Sequence, residues 1–257
     1  MGVRGLWDIL EATAHPVKLE ALAKKKLAVD ASIWIYHFLK AVRDKEGHAL
    51  KSSHVVGFFR RICKLLYFGI QPVFVFDGGA PILKRQTIAR RKQNRAERKL
   101  NKNNNKPLAT AEEYEKELRE LREQHKKDVR DADEVNAIMI LECQELLRAF
   151  GIPYVVAPME AEAQCAELLR LGLVEGVVTD DSDAFLFGAT KVYKNMFSQS
   201  KFVECYYAAD IERNLGLDQK KLIALAHVLG SDYAEGLPGV GPVIATELLA
   251  EFYSEDE

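Results

Sequence analysis

Seven carboxylates fall in five separate stretches of this chain: Asp30, Asp77, Glu160 with Glu162, Asp181 with Asp183, and Asp232. Singly, each has an ordinary structural reading. Glu160 and Glu162 suit the first turn of a helix opened by Pro158, where the macrodipole favours acids. Asp181 and Asp183 suit a turn after a strand, and Asp30 suits a helix cap. Together they imply different chemistry. Carboxylates crowded at one place repel each other and cannot all stay ionised without cations. A ligand set made only of oxygens suits hard ions such as magnesium or manganese. Glu160 and Glu162 stand two residues apart, roughly 200° around a helix, so they converge only from the helix end.

A basic set accompanies the acids. Between Lys84 and Lys102 stand nine Lys/Arg and one acid, Glu97. Lys84 and Arg91 are seven residues apart and share a helix face. A charge run of this kind is either a solvated face or a grip on phosphate, where cations stabilise charge developing on a phosphoryl group. A third feature is Gly236-Leu237-Pro238-Gly239-Val240-Gly241-Pro242, followed by an apolar helix over 243–252. Gly239 and Gly241 let a backbone turn approach a phosphate, and the helix presents its N-terminus to it. This reads as a helix–hairpin–helix for sequence-independent duplex binding, or as a plain pair of antiparallel helices.

The elements that must position these groups are legible in outline. Apolar runs at 27–29, 72–76 and 176–179 lead into Asp30, Asp77 and the 180–183 acids, and read as buried parallel strands. Residues 152–156, 191–193 and 202–206 are further strand candidates. Helical patterns span 53–67, 133–150 and the stretch from Pro158 to about Gly172. The alternation predicts an α/β fold: a mostly parallel central sheet with helices on both faces, plus the C-terminal helix–hairpin–helix (helix-two-turn-helix) element. Ligands of such sheets bind beyond the carboxyl ends of the strands, where Asp30, Asp77 and Asp181 stand.

Composition bounds the rest. The chain has 257 residues, 48% of them hydrophobic, and no apolar run of the roughly 18 residues a membrane span needs. Arg4 and Asp8 interrupt any signal-peptide core. Cys63, Cys143, Cys165 and Cys205 form no CxxC pair and read as buried thiols of a reducing compartment. The net charge of −2 conceals an asymmetry: residues 1–100 carry 20 Lys/Arg against 8 Asp/Glu, and residues 128–257 carry 9 against 24. One half suits a polyanion and the other suits cations.

These residues resemble a known family, the XPG/flap-endonuclease superfamily of structure-specific nucleases. The resemblance is carried by Met-Gly-Val-Arg-Gly-Leu-Trp at 1–7, Ala28-Val29-Asp30-Ala31-Ser32, Val73-Phe74-Val75-Phe76-Asp77-Gly78, Ala157-Pro158-Met159-Glu160-Ala161-Glu162-Ala163-Gln164-Cys165, Thr179-Asp180-Asp181-Ser182-Asp183, Leu229-Gly230-Ser231-Asp232-Tyr233 and Gly239-Val240-Gly241-Pro242. It covers nearly the whole chain except about 100–130. Trp7, Met159 and the Asp-Asp-Ser-Asp run favour the XPG branch, the nuclease of nucleotide excision repair.

The resemblance implies that the seven acids bind metal, that Lys84 and Arg91 act beside the scissile phosphate, that Tyr36 lies near the bases there, and that Gly2 is tucked by the active site. It implies two Mg2+ ions, with Mn2+ as substitute, and a K+ ion at the helix-two-turn-helix. The expected organisation is an N-terminal nuclease region over 1–100, a shortened helical linker over 101–130, and an internal nuclease region over 131–257 with the hairpin element at about 217–252, forming one nuclease domain. The expected protein is a nuclear monomer that binds duplex DNA with single-strand junctions and no membrane. It is expected to be a catalytic core, with repair-complex partners bound by regions missing from it. The expected reaction is incision of bubbles or flaps on the 3′ side of a lesion. The alternatives are a replication-type 5′-flap endonuclease, a junction-binding scaffold that does not cut, and a nucleotide-binding enzyme. No Gly-rich phosphate loop follows a strand to support the last.

Overall fold

The computed structural model describes residues 2–41, 52–79, 81–84, 137–198 and 202–253. Elements are numbered among these residues. Seven strands, β1 (His15–Val17), β2 (Lys26–Asp30), β3 (Gln71–Phe76), β4 (Tyr154–Val156), β5 (Val177–Val178), β6 (Lys191–Lys194) and β7 (Val203–Tyr207), form one sheet. Its order is β1-β7-β6-β5-β2-β3-β4. The five strands from β6 to β4 are parallel, and β7 and β1 add antiparallel strands at the other edge.

The helices are α1 (Leu6–Leu10), α2 (Ala31–Ala41), α3 (Ser53–Tyr67), α4 (Ala137–Phe150), α5 (Ala161–Arg170), α6 (Asp183–Leu186), α7 (Ala208–Leu215), α8 (Gln219–Leu229) and α9 (Pro242–Phe252). Successive residues of a strand point to opposite faces. Ala28, Val75, Val177 and Val192 therefore pack into one core with residues of α1, α5, α6 and α8, such as Leu6, Cys165 and Leu225. Val29, Phe74, Phe76, Val178 and Tyr193 pack into a second core with α2, α3 and α4, through Trp34, Phe58, Ile62 and Leu147. Both faces are thus buried, which is why the strands read as unbroken apolar runs. The expected α/β sheet with helices on both faces is the fold observed.

Two expectations need correction, and one strand is new. Pro158 does not open α5. The carbonyls of Pro158 and Met159 accept hydrogen bonds from Gly79 N (3.3 Å) and Gly78 N (2.7 Å). This ties the bend at Pro158 and Met159 to the residues that follow β3, and α5 starts at Ala161 with Glu160 as its N-cap. The edge strand β1 went unforeseen because it is three residues long, contains Pro16 and is largely exposed. Cys63 is only half-buried, whereas the other three thiols are buried, and all four are free. The linker and residues 199–201 lie outside the described residues, as does the start of the expected 133–150 helix. No helix among those described is long and apolar enough to cross a membrane.

Candidate active site

Strand order fixes where the acids meet. From β2 the chain passes to β3 and β4 on one side and later to β5 and β6 on the other, so the switch point lies between β2 and β5. Asp30 ends β2, Asp77 follows β3, and Asp181 and Asp183 follow β5. Glu160 and Glu162 come from the start of α5, and Asp232 from the turn after α8.

Each acid is held by its surroundings. Asp30 is 1% exposed. Its Oδ1 accepts from the Ile33 amide at 3.2 Å, capping α2, and its Oδ2 accepts from the Thr179 hydroxyl at 3.1 Å. The ordinary cap reading and the cluster reading therefore both hold. Asp77 Oδ1 accepts from the Ala161 amide at 2.8 Å, which ties the end of β3 to the start of α5. Asp181 Oδ1 accepts from the Asp183 amide at 3.0 Å, and the Asp181 amide donates to Thr179 Oγ1 at 3.1 Å. Lys84 and the Tyr233 hydroxyl donate to the two oxygens of Glu160. Lys84 also stands 3.5 Å from Asp232.

The electrostatics follow from burial. Desolvation, followed by the charge of Asp77, raises the Asp30 carboxyl to about 8. Glu162 is pushed to about 10 by desolvation and then by Asp30, Asp181 and Asp77. Asp183 rises to about 7 by desolvation, with Asp181 and Asp232 adding to it. Desolvation also raises Glu160 and Asp181. It opposes charge on Lys84, but the joint pull of Glu160, Glu162 and Asp232 outweighs it and lifts that ammonium above the ordinary lysine value. The acids influence one another in two overlapping groups. Glu162 feels Asp30, Asp181 and Asp77; Asp183 feels Asp181, Asp232 and Glu160.

Among the described residues, no three His, Cys, Asp or Glu side chains already stand as a closed ligand cage. The donor chemistry nevertheless fits a hard cation. Glu162 Oε2 and Asp183 Oδ1 are buried side-chain oxygens with no hydrogen-bond partner, and such atoms are costly unless something satisfies them. Lys84 serves as the local counter-charge in this arrangement.

The other expected residues divide. Gly2 packs on the acid loop: a Cβ there would stand 2.2 Å from Asp181 Oδ1, and its φ of +77° lies in the left-handed region. Tyr36 is half-buried on α2, its ring 6.4 Å from that of His37. Residues 230–241 join α8 to α9. Gly239 has φ +78°, and a Cβ added at Gly239 or at Gly241 would meet no heavy atom within 4 Å, so both face open space. Arg91 lies outside the described residues. Sequence reasoning missed Thr179, Ser182 and Tyr233. Thr179 bridges Asp30 and Asp181, Ser182 Oγ accepts from the Val3 amide at 3.0 Å, and Tyr233 holds Glu160. Only adjacency to an acid marks these three in sequence.

The chain matches the family model of the XPG N-terminal domain over residues 1–98 and that of the XPG I-region over 151–232. It is 62% identical over 141 residues to the DNA repair protein rad13 of Schizosaccharomyces pombe, a match covering 55% of this chain and 13% of that protein. It is 36% identical over 266 residues to Flap endonuclease 1 of Coprinopsis cinerea, covering 98% of this chain and 56% of that protein. The match thus spans about an eighth of the one relative and about half of the other. Among solved structures, the catalytic core of Rad2 in complex with DNA substrate superposes with a TM-score of 0.82 at 57% identity, covering 98% of this chain and 69% of that one.

Proposed function

Because the chain belongs to the XPG family of structure-specific nucleases, we propose that it hydrolyses phosphodiesters of DNA at junctions between duplex and single strand. The observation that carries this reading is the convergence of the acids at the sheet's switch point, with two buried carboxylate oxygens left unsatisfied. A binding scaffold gains nothing from acids that repel phosphate.

The two overlapping acid groups suit two Mg2+ ions, with Mn2+ as substitute. Asp30, Asp77, Glu162 and Asp181 would hold one, and Glu160, Asp181, Asp183 and Asp232 the other. Bound there, such ions supply Lewis acidity and a water of lowered pKa. The chain's own groups do the remaining work. Lys84, already lodged among these acids, offsets charge growing on the scissile phosphate, and Arg91 joins it from the basic stretch. Tyr36 stacks on a base at the cleavage point. Gly2 admits the N-terminal segment beside Asp181. Gly239 and Gly241 bring bare backbone to duplex phosphates, with K+ at that hairpin. The products are a 5′-phosphate and a 3′-hydroxyl.

The relatives' repair names support one biological setting: 3′-side incision in nucleotide excision repair, in the nucleus, by a monomer. A second reading, a replication-type 5′-flap endonuclease, is favoured by the alignment of 98% of this chain with Flap endonuclease 1. Cleavage of end-labelled bubbles, 5′ flaps and plain duplex, with magnesium and with chelator, tests both. Magnesium-dependent cutting at junctions with duplex spared is expected, and the faster substrate chooses between the two settings. Tight binding without cutting under any metal would leave the scaffold.

A further inference from the structure

Trp7 takes no part in the chemistry above, yet its indole is directed at the acid loop. Its Nε1–H donates to the Asp180 carbonyl at 3.0 Å. That carbonyl and the Asp181 amide belong to one peptide unit, so they lie in one plane and point in opposite directions. The Asp181 amide donates at 3.1 Å to the Thr179 hydroxyl oxygen, and that hydroxyl donates at 3.1 Å to Asp30 Oδ2. Trp7 is therefore the first donor of a continuous chain that runs through peptide and hydroxyl to a carboxylate. Within such a chain each hydrogen bond polarises the next. Fixing the carbonyl end of a planar unit also fixes the direction of its N–H. One indole thereby governs the main chain that carries Asp181 and the hydroxyl that orients Asp30, two acids assigned above to the same ion.

The indole is itself held in place. Lys194 Nζ stands 4.7 Å from its ring centroid and is bonded to Glu204 at 3.1 Å. The ring of Tyr206 lies 5.0 Å away, and that of Phe185 meets it edge-on at 6.0 Å. The segment that carries Trp7 is tied as well: the Arg4 amide donates to the Gly230 carbonyl at 3.0 Å, and the Val3 amide to Ser182 Oγ at 3.0 Å. Residue 180 is braced from its other side, where Asp180 Oδ1 accepts from the Asn195 amide at 2.7 Å. Like charges push the carboxylates of the loop apart, and a donor whose place is set outside the loop resists that. A ring kept for packing alone has no use for its N–H. We propose that Trp7 is a positioning residue for the metal-binding acids: its N–H sets the 180–181 peptide and, through it, Asp181 and Asp30.

The inference rests on the nuclease reading, and the experiment separates the two. Ca2+ affinity is measured by calorimetry without DNA, and the Mg2+ dependence of junction cleavage is measured beside it. Placing 3-benzothienylalanine at position 7 alone keeps the indole shape with sulfur where the N–H stood. This isostere should weaken Ca2+ binding about tenfold, the scale of one hydrogen bond. The Mg2+ concentration giving half-maximal rate should rise by a similar factor, while KM for DNA holds. Thr179→Val breaks the same chain one step later, so its loss and that of the isostere should not multiply. The Trp7 indole proton resonance, identified by its absence from the isostere, should move as Ca2+ is added to the wild type. An isostere that binds Ca2+ as the wild type does, losses that multiply, or a resonance that stays fixed while Ca2+ binds overturns the proposal. Trp7 is then a packing residue, and the nuclease stands. If the wild type binds Ca2+ but cuts no junction, the nuclease reading falls and the calorimetry still decides Trp7. If it binds no Ca2+, both fall. Trp7→Phe repeats the calorimetry should the isostere fail to fold.

Discussion

Asp30 illustrates how one side chain meets two demands that conflict. It caps α2 and braces Thr179, yet it is held buried beside Asp77 with its pKa near 8, against roughly 3.9 in an unfolded chain. A carboxyl whose folded pKa is raised contributes stability below its unfolded value and loses that contribution as pH climbs to the folded one. Thermal melts of metal-free protein should therefore show stability falling from about pH 4 to pH 8, with magnesium restoring it. Asp30→Asn should flatten that slope and raise the melting temperature in chelator, while abolishing cleavage. An unchanged slope would show that Asp30 does not govern the acid limb. Tyr233 makes a different case. Its hydroxyl donates to Glu160, so Tyr233→Phe frees that carboxylate from one of its two anchors. The magnesium concentration giving half-maximal rate should rise severalfold while kcat at saturating metal holds, and calorimetry with Ca2+ should show the same weakening. A lower melting temperature with unchanged metal affinity would make Tyr233 merely structural. Asp30, Asp77, Asp181 and Asp183 are legible in sequence because strand ends announce them. Tyr233 and Thr179 are not, since a hydroxyl acquires meaning only from what the fold brings within reach.

Elements are legible where both their faces are buried. β2 and β3 are continuous apolar runs, and α3 begins and ends where its apolar spacing says. The start of α5 falls three residues later than Pro158 suggests, because the pull of that proline toward helix start loses to the hydrogen bonds that bind the carbonyls of Pro158 and Met159 to Gly79 and Gly78. A proline rule is local, and those bonds span the gap between β3 and α5. The docking of α3 rests on Phe58, fully buried among the rings of Trp34, Phe38, Phe74 and Phe76. Phe58→Ala should cost about 3–5 kcal/mol, read as a lower urea midpoint with unchanged slope. The N-terminal segment is held otherwise. Gly2→Ala would put a Cβ 2.2 Å from Asp181 Oδ1 and 2.5 Å from Ser182 Oγ at a φ of +77°. The segment must then leave the acid loop, and kcat should fall far more than the melting temperature.

At the scale of the whole molecule, two halves of opposite charge meet at one site: Lys84, from the basic half, is brought against Glu160 and Asp232 of the acidic half. The α8–α9 turn extends that site outward. Its closed part is fixed by packing: a Cβ at Gly236 would meet the Leu229 carbonyl at 2.6 Å. Its tip is not. Gly241 has an ordinary extended backbone with φ −104° and nothing within 4 Å of where a Cβ would stand, so the free fold gives no reason for glycine there. A reason appears only if something approaches that backbone. If the approaching group is a duplex phosphate, Gly241→Val should leave the melting temperature unchanged and weaken binding of plain duplex about tenfold in chelator. Binding by the wild type should also fall steeply with salt, with a log–log slope proportional to the phosphates neutralised. Gly241→Val should reduce affinity at every salt concentration while leaving that slope nearly unchanged, because glycine contributes no charge. Unaltered duplex affinity would move the duplex contact away from this turn, leaving the basic stretch to hold the DNA alone.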